Sequence, residues 1–157
     1  MEKINEFLIA AKKSTYADEM AKPCESTRLG SYDYEYSEVI EGKKYVYHDT
    51  YFGGKKFLGS EVVYIDDVKP KWGMNYYGVS LTDDSESFFD SILRPALMRV
   101  GEDSSVIPIR GPREYVNGEF TYKLDVQGDL TNFEGTEFIY KNDILIFKVI
   151  LSGGVIE

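Results

Sequence analysis

The stretch "FLGSEVVYIDDV" at residues 57–68 returns as "FEGTEFIYKNDI" at residues 133–144, 76 positions later, with five of the twelve positions identical. The same offset pairs Gly42 with Gly118, Asp49 with Asp125, Gly59 with Gly135, Glu61 with Glu137 and Tyr64 with Tyr140. A strand-turn phrase held in one register over two hairpins constrains the fold to two similar units, because each copy must bury the same alternating face. Each copy also follows a helical pattern. The expectation is an α+β fold of duplicated α-β4 units, about 1–78 and 79–157, forming one domain over 1–157. Its antiparallel sheets carry helices packed on one face, and the halves are related by pseudo-two-fold symmetry.

The first helix is read from "EKINEFLIAAKKSTYA", where Ile4, Phe7, Leu8 and Ala11 form one apolar stripe. From Ala17 to Gly30 the pattern gives way to Pro, Gly, Ser, Thr and charges, a long loop of the kind that serves as a lid or is simply mobile. Strands follow in "YDYEYSEVI", "KYVYHDTYF", "FLGSEVVYI" and "KWGMNYYGV", with turns at Glu41-Gly42, Gly53-Gly54 and Asp66 to Pro70. A second helix is expected from near Asp83 in "TDDSESFFDSILRPALMRVG", capped by Asp and Ser, closed by Gly101 and kinked or cut short at Pro95. After it, Asn117-Gly118 in "REYVNGEFTYKLDV" marks a two-residue hairpin turn ahead of "TNFEGTEFIYKNDILIFKVIL".

Alternation sorts the side chains of these strands into two faces. Val62, Tyr64, Trp72, Met74 and Tyr76, matched by Phe138, Tyr140, Phe147, Val149 and Leu151, are assigned to the helix-covered face. The opposite face then carries Gly59, Glu61, Val63, Gly73, Asn75 and Tyr77, matched by Gly135, Glu137, Ile139, Lys148 and Ile150. Glycines, carboxylates, an amide and phenol rings on one sheet face suit a concave binding surface. The tyrosines of "YDYEY" and "YVYHDTY", with Asp49 beside them, suit a cationic or planar aromatic guest. The same tyrosines are also good strand formers, and Glu61 and Glu137 could equally stand in water.

Charge narrows the partners. A net charge of −9, concentrated in residues 79–157 (7 basic and 14 acidic side chains, hence −7), argues against direct nucleic-acid binding. With Cys24 as the single cysteine there is no internal disulfide, which places the chain in a reducing, cytoplasmic setting. No apolar run reaches the length of a membrane span, and "MEKINEFLIAAKK" lacks the form of a secretion signal.

Chemical motifs are sparse. One His and one Cys do not make a typical zinc site, no EF-hand loop is present, and "FGGKKFLG" departs from the phosphate-binding loop. No metal or cofactor is expected. His48 and Asp49 are strand neighbours and point to opposite faces, so adjacency does not make them a dyad. Cys24 carries no nucleophile signature. The sharpest enzymatic possibility pairs Glu61 with Glu137, or Asp49 with Asp125, as an acid and a base.

"YHDTYFGGKKFLGSEVVY" and "WGMNYYG" resemble an uncharacterised bacterial and archaeal domain family of unknown function, some members of which are fused behind helix-turn-helix regulators. The likeness extends to "FLIAAKKSTYA", "STRLGSYD", "FEGTE" and Gly153-Gly154, and departs at Leu29, where the family pattern tends to proline. It implies a sensor role for a domain behind a DNA-binding module, although no helix-turn-helix is legible here. The duplicated plan is also similar in architecture to effector-binding domains of drug-responsive regulators, which use a central Glu and aromatic walls.

The sequence therefore points to a non-enzymatic small-molecule sensor or effector-binding domain. Glu61 and Glu137 would supply charge, together with Asp49, and Asn75 an amide; Tyr47, Tyr51 and Tyr77 would form walls, and Arg28 and Tyr16 would close over the guest. An acid-base or hydrolytic enzyme using paired carboxylates, and a protein-interaction module docking on a strand edge, are the alternatives.

Overall fold

The computed structural model describes residues 2–83 and 88–157. Its strands are β1 (Tyr32–Ile40), β2 (Lys43–Gly53), β3 (Lys56–Ile65), β4 (Pro70–Ser80), β5 (Glu114–Asn117), β6 (Phe120–Asp129), β7 (Asn132–Lys141) and β8 (Ile144–Val155). All eight lie in one antiparallel sheet, in the order β1-β2-β3-β4-β8-β7-β6-β5. Two meanders are thus joined by β4 and β8, which pair from Trp72↔Val155 to Ser80↔Phe147.

This overturns the expected α+β fold of duplicated α-β4 units with helix-packed sheets. Helix is a minor component. Among the described residues, α1 (Glu2–Lys13) is followed by a segment in which Phe88 is helical, Phe89–Leu93 make a π-helical turn and Arg94–Leu97 form α2. The halves merge because β4 and β8 pair into one continuous sheet, and Pro95 accounts for the π-helical turn. This proline has no N–H to return to the Ser91 carbonyl one turn back, and Asn117 Nδ2 donates to that carbonyl instead, at 2.8 Å. The Asp and Ser caps expected between Asp83 and Phe88 fall largely outside the described residues. Among the described residues no helix is long and apolar enough to cross a membrane.

The core lies between one sheet face and α1, the Phe88–Leu97 segment and the loop after it. Ile4, Phe7, Leu8 and Ala11 of α1 are buried, with the Phe7 ring 5.2 Å from that of Tyr45. Phe88 sits 5.4 Å from Phe147, and Trp72, fully buried, donates through Nε1 to the Leu130 carbonyl at 3.0 Å. Removing such large apolar groups from water is the main stabilising contribution, on the order of 2 kcal/mol for each buried side chain.

The expected face assignment also needs correction. Directly opposed residues share a face, and Glu61 opposes Met74 while Val63 opposes Trp72. Glu61 and Val63 are therefore inside with Trp72, Met74 and Tyr76, whereas Val62, Tyr64, Asn75 and Tyr77 are on the outer face. The same slip occurs in β7 and β8, where Glu137 opposes Val149. Register shifts at Val63/Tyr64 and Ile139/Tyr140 offset the parity across each hairpin, and no local pattern announces them.

The long loop is held down rather than loose. Asp33, fully buried on the outer side of β1, accepts from Thr27 N (3.0 Å), Thr27 Oγ1 (2.9 Å), Ser31 Oγ (2.5 Å) and Thr50 Oγ1 (2.5 Å). Cys24 adds a backbone bond to the Asp33 carbonyl at 2.8 Å. Burial works against the Asp33 charge, but the bonds from Ser31, Thr50 and Thr27 outweigh it and hold the carboxyl well below the usual range.

Candidate functional site

Inward-facing residues of the strands line up in rows across the sheet. One row runs Tyr34–Asp49–Glu61–Met74, and the next runs Tyr51–Gly59–Tyr76. The second row is open at Gly59, where a Cβ would stand 2.4 Å from the Tyr76 hydroxyl and 2.5 Å from the Thr50 carbonyl. Glycine there lets the Tyr76 phenol lie flat over the strand and donate to Asp49 Oδ1 at 2.7 Å.

Three charged systems meet on this face. Lys12, at the end of α1, donates to Glu61, and both side chains are almost wholly buried. Arg110, in the loop before β5, grips Glu137 through Nε and Nη2, both at 2.8 Å, and Tyr122 donates to the same carboxylate at 2.7 Å. Asp49 is the third. It is 5% exposed, and of the hydrogen bonds described its carboxyl takes part only in the one from Tyr76.

The titration of these groups follows from this pairing. Burial, and then the negative charge of Glu61, push the Asp49 carboxyl up to about 7 against the pull of Tyr76, Lys12 and Arg110. Burial lowers Lys12, with Glu61 offsetting part of the shift. Burial also opposes the Arg110 charge, but Glu137 outweighs it and Arg110 is held well above its ordinary range. The Tyr47 and Tyr76 phenols are raised by burial and then by the carboxylates beside them.

A cavity of about 200 Å³ opens over Asp49, Tyr76 and Arg110, walled by Tyr16, Tyr51, Phe57 and Phe89, with Leu93 and Arg94 toward the helical segment. Beneath it a cell of about 20 Å³, room for one water molecule, reaches Lys12, Tyr47 and Glu61. Asp49, Tyr16 and Arg110 line both spaces. Tyr16 is fixed by Arg94, whose guanidinium lies 4.9 Å from its ring centre and donates through Nε to its carbonyl at 3.2 Å. The Tyr51 ring meets Tyr16 edge-on at 5.8 Å.

Of the residues expected at a site, Tyr16, Tyr47, Tyr51, Asp49 and Glu61 surround these two spaces, and Glu137 stands behind Arg110. The others lie elsewhere. Asn75 is exposed on the outer face, as is Tyr77 at 48% exposure, and Arg28 is exposed on the loop tied to Asp33. The proposed carboxylate pairs do not form. Glu61 and Glu137 are three strands apart and offset four residues along them, roughly 19 Å between backbones. Asp125 is exposed.

Sequence reasoning missed Lys12, Arg110, Tyr76 and Phe89. Lys12 continues the stripe Ile4, Leu8, Ala11 at helical spacing, and a charge on an apolar stripe is a readable sign of a buried partner. Arg110 stands alone in "VIPIRGP", a charge within an apolar stretch, which is the same sign in a loop.

A family model described as a domain of unknown function (DUF5680) matches residues 49–156, and the chain belongs to that family. No curated protein and no solved structure matches the chain.

Proposed function

We propose that this member of the family is a small-molecule-binding domain whose guest sits in the cleft above Asp49. The observation that carries this reading is the cavity of about 200 Å³ with ring walls and a few convergent polar groups. Its size compares with the ~150 Å³ that holds a benzene ring, so a guest with one ring is the natural fit. Tyr16, Tyr51, Phe57, Tyr76 and Phe89 offer flat apolar surface, and Asp49 and Arg110 offer orientation. The reading agrees with the sensor role implied by the likeness to regulator-fused domains, and with a cytoplasmic setting for a chain whose single cysteine is Cys24.

Thermal-shift and calorimetric titration with single-ring compounds test it. A binder raises the melting temperature with concentration, by linkage. Replacing Tyr51 or Phe89 by Ala, each a wall of the cleft, should weaken such a binder at least tenfold, on the order of 1.4 kcal/mol. A binder indifferent to both substitutions would count against this cleft.

One observation favours a second reading, acid-base catalysis. A buried carboxyl raised to about 7 beside a phenol is a suitable proton donor and acceptor. Turnover of a bound compound that disappears in Asp49→Asn, with binding retained, would establish that reading in place of the first.

A further inference from the structure

We propose that the cleft takes a nitrogen cation, an amine or amidine carried on a single flat ring, with Asp49 as its counter-ion. This rests on reading the cleft as a binding site, and it follows from how the charges around it are distributed. The Arg94 cation is matched by Asp90 at 2.6 Å, Arg110 by Glu137, and Lys12 by Glu61. Each cation facing the two spaces already has its own carboxylate. Among the described residues, Asp49 alone on this wall has a phenol instead of a cation. A buried carboxylate without a cation is costly, so a guest that supplies one gains what an anion or a neutral molecule would not.

The walls agree in kind. Phenol and phenyl rings present negative faces, and a cation held among them is stabilised more strongly once desolvated. Tyr16, Tyr51, Phe57 and Phe89 stand around the space that leads down to Asp49.

Binding would then exchange one positive charge for another. Without a guest, the Asp49 carboxyl holds a proton through the lower half of the neutral range. When the guest's cation arrives, that proton leaves for bulk water and the carboxylate pairs with the nitrogen. The net charge of the buried cluster is unchanged. The groups facing Asp49 are Glu61 on β3 and Tyr76 on β4, with Lys12 from α1 and Arg110 from the loop before β5. Tyr34 of β1, Tyr47 and Tyr51 of β2 and Tyr16 complete the surroundings, and all four phenols titrate above the range concerned.

The test is calorimetry of the full chain with benzamidine, benzyl alcohol and benzoate, at pH 6 and pH 8 and in two buffers of different ionisation enthalpy. Benzamidine should bind roughly tenfold more tightly at pH 8 than at pH 6, with about one proton released per guest at pH 6 and few at pH 8. Benzyl alcohol and benzoate should bind at least tenfold more weakly at pH 8. Asp49→Asn should abolish the preference and the proton release, and the proton count on the unaltered protein stands even if that variant does not fold. Equal binding of benzyl alcohol or benzoate, or benzamidine binding without proton release at pH 6, would overturn the charge assignment and leave the cleft as a site. If the folded protein takes up none of the three probes, the cation assignment falls; if it is also silent to every other single-ring compound, the binding reading falls with it.

Discussion

Asp49 and Glu61 stand directly opposite one another on β2 and β3, both buried, yet only Glu61 has a cation. Two like charges at that separation in a low-dielectric interior are unfavourable, and the chain resolves the conflict by giving Lys12 to Glu61 and a phenol to Asp49. The site's chemistry follows from that division.

Asp49→Asn should stabilise the protein at high pH. The Asp49 carboxyl ordinarily titrates near 3.8 and is raised to about 7 in the fold. Between those values the folded state holds a proton that the unfolded chain has released, so this group's contribution to stability falls as pH rises and levels off above about 7. An amide has no such dependence. Urea unfolding should show the variant more stable by about 2–4 kcal/mol at pH 8 and level with the parent near pH 4.

Glu61→Gln and Glu137→Gln should differ although both remove a buried, paired carboxylate. Glu137→Gln strands Arg110, with a cost of about 3–5 kcal/mol. Glu61→Gln leaves Lys12 beside Asp49, which is already ionised at pH 8 and takes the place of Glu61, limiting the loss to about 1–2 kcal/mol. Denaturant midpoints of the two variants check the order. Equal losses would show that Asp49 does not respond to Glu61.

Asp33→Ala should free residues 17–30. Four donors lose their acceptor at once, which costs about 2–3 kcal/mol, and limited proteolysis should cut this loop at least tenfold faster. In the parent protein the Asp33 carboxyl is depressed in the fold. Its contribution is therefore present above the ordinary aspartate value and lost as pH falls below about 4.

Gly59→Ala should act on Asp49 without touching it. The new Cβ would displace the Tyr76 hydroxyl and press on the Thr50 carbonyl, costing about 2–3 kcal/mol. Without the Tyr76 hydrogen bond the Asp49 carboxyl should rise above its present value of about 7, as read by the carboxyl carbon chemical shift through a pH titration.

Local patterns are legible in the sequence and long-range ones are not. Alternation in "YDYEYSEVI" lies where the structure has β1, and the Asn117-Gly118 signal lies one residue ahead of the β5–β6 turn at Gly118-Glu119, because both depend on neighbours within a few residues. The β4–β8 pairing joins residues 67 to 83 positions apart, and nothing local distinguishes one sheet of eight strands from two sheets of four. The face error had a similar origin, since a register shift next to Val63 reverses parity without altering composition. Within the site, Asp49, Tyr16 and Tyr51 stand out in the sequence as aromatic and acidic residues of strand and loop, whereas Tyr76 falls on the expected core face and Lys12 signals a buried partner without saying which. Their role depends on which groups they face across elements, and that is decided only when α1 lies on the sheet.

The place of β8 has a consequence for biogenesis. It is the last of the eight strands to leave the ribosome, yet it fills the middle of the sheet, with β4 on one side and β7 on the other. Until it emerges, the nascent first meander exposes β4 as a bare template, so assembly must wait for the end of translation of this region, and any stall before Ile144 would leave a strand open to capture by another chain.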